Sequence, residues 1–207
     1  MRFNLLKSGY NNSVGRYGTQ SRSGRKIKPE MLVIVRERKI FVFEKGEYVV
    51  SGTKGVCVVD EITTLNITGV DKKREYYILK PVYVKGSTVY VPVDTADGSL
   101  RKILNEQEAR ELIHGIPEIP LITITNDKLL EQEYRGCMKS NDCAELVRVI
   151  KTIYLRKQKR LEAGRKVTAV DAKYFRMAED NLYGELAVSL QMPRGEVENY
   201  ITNEMNA

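Results

Sequence analysis

The sequence predicts a two-domain α+β protein: a small, strongly bent β-barrel followed by an all-α helical bundle. Three observations carry this. Between residues 40 and 94, Val, Ile, Tyr and Thr dominate short runs separated by turn residues, the pattern of brief strands. Four or five such strands in so short a span suit a small barrel. From Asn105 the apolar period becomes helical. After one short helix, residues 116–125 contain Pro117 and Pro120 and read as a connector.

Residues 1–39 are set apart as a disordered or non-native arm. Residues 1–30 are rich in Ser, Gly, Asn and Arg without an apolar period, a composition that does not bury a core. They read as a leader, or as an over-extended start with Met31 as the native first residue, and no site is assigned to them. The barrel domain spans 40–115, with strands expected at 47–51, 55–64, 74–83 and 87–93 and a further one over 39–43. Breaks fall at Lys45-Gly46, 52–55, Thr68-Gly69 and Lys85-Gly86, the last predicting a tight hairpin between Tyr83 and Thr88. Pro92 cannot donate to a ladder, so the strand Thr88-Val89-Tyr90-Val91 ends there or lies at a sheet edge. A helix over 105–114 stops at Gly115 and closes this domain. The linker, 116–125, leads to a helical domain, 126–207, with helices at 126–138, 142–161, 168–190 and 193–204. Asp142 with Glu145, and Thr168 with Asp171, have capping-box spacing. Pro193 fits the first turn of the last helix.

Composition weakens most enzyme readings. His114 is the only histidine, so any serine- or cysteine-histidine chemistry would rest on it. The three cysteines, Cys57, Cys137 and Cys143, include no CxxC pair and fit a reducing cytoplasm better than a disulfide scaffold. Cys137 and Cys143 lie in or beside helical sequence with apolar neighbours, which argues against a metal site. No GxxxxGK[ST] or GxGxxG phosphate loop occurs. No apolar run approaches the ~20 residues that span a bilayer. The expectation is a cytoplasmic monomer that is not an enzyme, binds no cofactor or metal and does not enter a membrane.

The net charge of +7 is unevenly spread. Between Arg148 and Arg176 ten basic residues face only Glu162 and Asp171; from Met177 onward Arg194 alone faces six acids. Such a dipolar segment can set one positive surface against a polyanion, or pair its bases and acids between neighbouring helices. On a helical wheel of 142–161, Leu146, Val149, Ile150, Ile153 and Tyr154 form one apolar stripe. Arg148, Lys151, Arg156 and Lys159 fall opposite, with Leu155 among them as a packing contact or an apolar probe.

Several blocks resemble the CarD/CdnL family of bacterial transcription regulators. They are Lys45-Gly46-Glu47-Tyr48-Val49-Val50-Ser51-Gly52-Thr53-Lys54-Gly55-Val56, Lys73-Arg74-Glu75-Tyr76-Tyr77-Ile78-Leu79-Lys80 and Thr88-Val89-Tyr90-Val91-Pro92-Val93-Asp94. In the helical half, Ile153-Tyr154-Leu155-Arg156-Lys157 and Tyr183-Gly184-Glu185-Leu186-Ala187 are similar to family blocks. The resemblance implies an SH3/Tudor-like barrel that binds the RNA polymerase β subunit. It also implies a helical domain that touches promoter DNA without reading its sequence and stabilises the open complex. An exposed strand edge can add to a partner's sheet, and Thr88, Val89, Tyr90, Val91 and Pro92 are the candidate polymerase-binding residues. Arg148, Lys151, Arg156 and Lys159 are the face-selected phosphate contacts. Lys157, Arg160, Arg165, Lys166, Lys173 and Arg176 extend the patch if the 161–168 turn folds beside it. The chain departs from the family pattern at Ser51-Gly52, Lys54 and Tyr90. It also lacks the tryptophan that family members often wedge into the minor groove; the comparable positions fall near Ile122 to Asp127. A protein-interaction module that binds polymerase without DNA wedging is the alternative.

Overall fold

The strand-forming runs of the N-terminal half pair into one antiparallel sheet. The computed structural model describes residues 43–66, 71–96, 98–123 and 129–206; the arm, residues 39–42, the break at Thr68-Gly69 and residues 124–128 lie outside the described residues. Sheet and helices belong to one compact unit, Phe41–Ala207. The strands are β1 (Tyr48–Ser51), β2 (Val56–Thr64), β3 (Glu75–Pro81), β4 (Val89–Pro92) and β5 (Leu100–Lys102), in the spatial order β4-β3-β2-β1-β5. No ladder joins β4 to β5 among the described residues. Partners opposite one another share a face, and Val49, Cys57, Val59, Leu79, Tyr77 and Val91 line the sheet's own core with Phe43 and Leu100. Tyr77 anchors Phe43 twice, by a hydroxyl that accepts from its N–H at 3.1 Å and by an edge-on ring contact. A register shift between Val59 and Glu61 bends β2.

Two details differ from the sequence reading. The connection between β3 and β4 is not a tight hairpin between Tyr83 and Thr88 but the longer segment 82–88. Pro81 has no N–H to extend the ladder, the Val82 N–H turns to Val56 O at 3.0 Å, and Tyr83 is drawn to the helices. β5 lies outside the strands the sequence predicts. Its three residues carry no alternation of their own; they are ordered by pairing with the open side of β1.

The helices are α1 (Glu106–Gly115), α2 (Leu130–Lys139), α3 (Cys143–Glu162), α4 (Ala169–Ser189) and α5 (Val197–Asn206). Asn105 and Glu108 form a reciprocal capping box at α1. Asp142 caps α3 through Ala144 N–H, but Glu145 turns to Arg148 instead of completing a box. Thr168 accepts from Asp171 N–H at α4, while the Asp171 carboxylate is buried and accepts from Tyr134 O–H. Pro193 is extended and precedes the 3₁₀ turn Arg194–Glu196 that leads into α5, so it lies outside that helix's first turn. The helical core gathers Ile113, Tyr134, Val149, Ile153, Leu186 and Ile201, all at most 1–2% exposed. α4 packs against each of the other four helices. No helix among the described residues is long and apolar enough to cross a membrane.

Candidate interaction surfaces

β4 is an edge strand, and its register explains what it presents. Tyr77 opposes Val91 and Leu79 opposes Val89 on the core face; Ile78 opposes Tyr90 on the other. Val91 is accordingly buried, and Tyr90 is 50% exposed. Thr88 is exposed, Val89 and Pro92 half-buried. The strand pairs only with β3 among the described residues. Its far end is pinned by Arg74, whose guanidinium grips the Asp94 carboxylate through Nε at 2.9 Å and Nη2 at 2.6 Å. That contact joins two of the sequence blocks quoted above, and the Asp94 carboxylate holds Arg74 above its usual pKa.

The basic residues of α3 and α4 separate into held and exposed groups. The wheel treats α3 as two-faced, but the connector crosses a third side. Lys151 is buried, and its ammonium donates to the carbonyls of Ile116, Pro117 and Ile119 at 2.7, 3.0 and 2.7 Å. Burial lowers its pKa. Beside it, Thr152 Oγ1 accepts from Ile122 N–H at 2.9 Å and Ile122 is buried. Of the positions comparable to the family's wedge, Ile122 therefore belongs to the core, and 124–127 lie outside the described residues. Arg148 is forked onto Glu145. Arg156 Nε stands 3.6 Å from the fully buried Asp171. Lys173 lies 3.5 Å from Glu131 and over the Tyr174 ring. Arg160 Nε donates to Lys166 O at 2.8 Å, so the turn after α3 folds back on its last residues. Lys159, Arg165, Lys166 and Arg176 are exposed; Lys157 and Leu155 are half-buried.

The third feature escapes the sequence reading. Glu185, only 1% exposed, sits in the last turns of α4, which are buried on nearly every side from Leu182 to Ser189. Arg101 of β5 meets it as a fork, Nη1 to Oε1 at 2.5 Å and Nη2 to Oε2 at 2.7 Å. Leu104 N–H and the Cys143 thiol donate to the same carboxylate at 3.0 and 3.1 Å. Arg101 Nε donates to Asn141 O, and the Asn141 side chain accepts from Gly52 N–H at 2.7 Å and donates to Ser99 O at 3.0 Å. Burial works against the Arg101 charge, and Glu185 outweighs it, raising the guanidinium's pKa. Nearby, Tyr83 O–H donates to Gly184 O at 3.2 Å, with its ring against the Gly184 Cα. The available signal was one acid inside the apolar block Tyr183–Ala187.

Among the described residues no group of three or more His, Cys, Asp or Glu side chains is placed to hold a metal. Burial pushes the thiol of Cys57 up to about 11 and that of Cys137 to about 12, and Cys143 higher still. His114 is exposed, 3.5 Å from Glu204.

The candidate surfaces are thus carried by a bent antiparallel sheet with an edge strand, packed against helices. Residues 43–104 match the family model of the CarD-like/TRCF RID domain. The match covers β1 to β5 and ends two residues beyond the last strand. Comparison with curated proteins gives no match.

Proposed function

We propose that the protein is a cytoplasmic bacterial transcription regulator that docks on the RNA polymerase β subunit and contacts promoter DNA without reading its sequence, stabilising the open complex. The sheet serves as the SH3/Tudor-like platform of the family. The observation that carries the reading is an edge strand, β4, lying inside the RID match and presenting Tyr90 half exposed. Main-chain groups of such an edge add to a partner's sheet, and alternate side chains choose the partner. On the helices, Lys157, Lys159, Arg160, Arg165, Lys166 and Arg176 supply a cationic surface near the end of α3 and along α4. Lys151, Arg148 and Arg156 contribute through the packing that supports that surface, and the exposed Lys173 is paired beside it with Glu131.

The pairing of these last four favours a second reading, a module that binds polymerase and leaves DNA alone. One experiment separates the readings. Tyr90→Asp is expected to abolish co-purification with RNA polymerase from the source cell. On duplex DNA, log K is expected to fall with log salt at a slope of roughly −4 to −5 if about five phosphates are neutralised. The charge reversals Lys159→Glu and Arg165→Glu should flatten that slope. A slope near zero for the wild type leaves only the second reading, and unaltered co-purification of Tyr90→Asp removes β4 as the docking edge.

A further inference from the structure

We propose that the Arg101–Glu185 pair is a buried latch that joins the sheet to the helices, so that the two halves open as one cooperative unit. It rests on contacts within the chain and not on the polymerase reading. Arg101 comes from β5 and Glu185 from α4, far apart in sequence, so the pair forms only when both halves are folded and seated. Its satisfaction is complete on the acid's side: Oε1 accepts from Arg101 and Leu104 N–H, Oε2 from Arg101 and the Cys143 thiol. The guanidinium spends Nε on Asn141 O, and Asn141, held at φ 59°, bonds the backbone just after β1 through Gly52 and just before β5 through Ser99. The network therefore touches β1, β5, the start of α3 and the end of α4.

A charged pair does here what an apolar contact cannot. Apolar side chains tolerate sliding; a carboxylate buried to 1% exposure does not tolerate losing its donors. Any displacement of β5 along α4 strips Glu185 of several hydrogen bonds together. Shape adds to this: Gly55 sits so close to Asn181, and Gly184 to the Tyr83 ring, that a Cβ on either glycine would stand 3.0 Å from its neighbour. The sheet is thus seated at several points and locked at one.

The test is native-state hydrogen exchange, at peptide resolution, on the full chain. In the wild type, amides of β1 and β5 and those of Leu182 to Ala187 are expected to share one opening transition. In Glu185→Gln, the sheet amides are expected to exchange on the order of 100-fold faster, while those of Val149 and Ile153 in α3 keep their protection. The double variant Arg101→Met/Glu185→Met refills the site with apolar atoms and should keep both halves folded while they open separately. Separate openings in the wild type overturn the latch, as does unchanged sheet exchange in Glu185→Gln or one shared opening in the double variant. Failure of both halves to fold in both variants also overturns it, because a joint between halves cannot be required for each half's own fold.

Discussion

A lysine in a basic stretch is ordinarily a solvated charge, and Lys151 departs from this because three carbonyls converge on it. The 3₁₀ turn Ile116–Glu118 that opens the connector aims the oxygens of Ile116, Pro117 and Ile119 at one point; Ile116 O also accepts from Ile119 N–H, and one ammonium with three protons reaches all three oxygens. Lys151→Met keeps the stem and removes the donors. It is expected to cost about 1–3 kcal/mol, the penalty of leaving buried polar groups unmade, read as a lower urea midpoint. The salt slope of DNA binding should be unchanged, since the residue is buried. A loss of slope without loss of stability would return Lys151 to the phosphate-facing group. Asp94 makes the same point at the sheet: its carboxylate is spent on Arg74, fastening the end of β4.

At the scale of elements, α4 carries two duties along one helix. Its first turns pack among the helices through Asp171 and Tyr174; its last turns meet the sheet. Gly184 belongs to the second duty. Gly184→Ala drives a methyl into the Tyr83 ring, and overpacking of this kind costs about 1–3 kcal/mol. The ring lies on the loop 82–88, so the expected partner change is Tyr83→Leu, which should recover most of the loss in the double variant; additive losses would show that the contact is not the cause. The strands β1 to β4 and all five helices were legible in the sequence because each carries a period or a cap of its own. Leu100–Lys102 carries neither, and it is a strand only because β1 offers an edge. The site was legible in the same measure. Pro92 placed β4 at an edge by removing a donor. Lys151 belongs to the basic face on a wheel but is buried in the structure, since a wheel cannot register a connector that crosses it. The latch was invisible, because nothing local marks Arg101 and Glu185 as partners.

Over the whole molecule, the three thiols, Cys57 and Cys143 buried and Cys137 half-buried, are expected to set an alkaline limit. Burial raises Cys57 from an ordinary 9.0 to about 11 and Cys137 to about 12, and pushes Cys143 higher. Unfolding exposes all three, and the unfolded chain then releases thiol protons that the folded chain retains. Folding stability from this source is complete below about pH 9 and is lost as pH rises from there through the folded values. Tyr83, Tyr183 and Tyr200, also raised by burial, act with the same sign at higher pH. Lys151 acts oppositely: its lowered pKa makes the unfolded chain the better proton acceptor, so deprotonation adds stability below the ordinary 10.5. Three thiols outnumber one lysine, and the urea midpoint is expected to fall between pH 8 and pH 10. Cys57→Ala should flatten part of that fall while lowering the midpoint at pH 8 only slightly. The same burial keeps the thiolate, and hence the nucleophile, scarce in the folded chain. Iodoacetamide at pH 8 should therefore label the native protein far more slowly than the urea-unfolded one. A wild-type midpoint that holds steady to pH 10, or native labelling as fast as unfolded, would show that these thiols are not shielded by the fold.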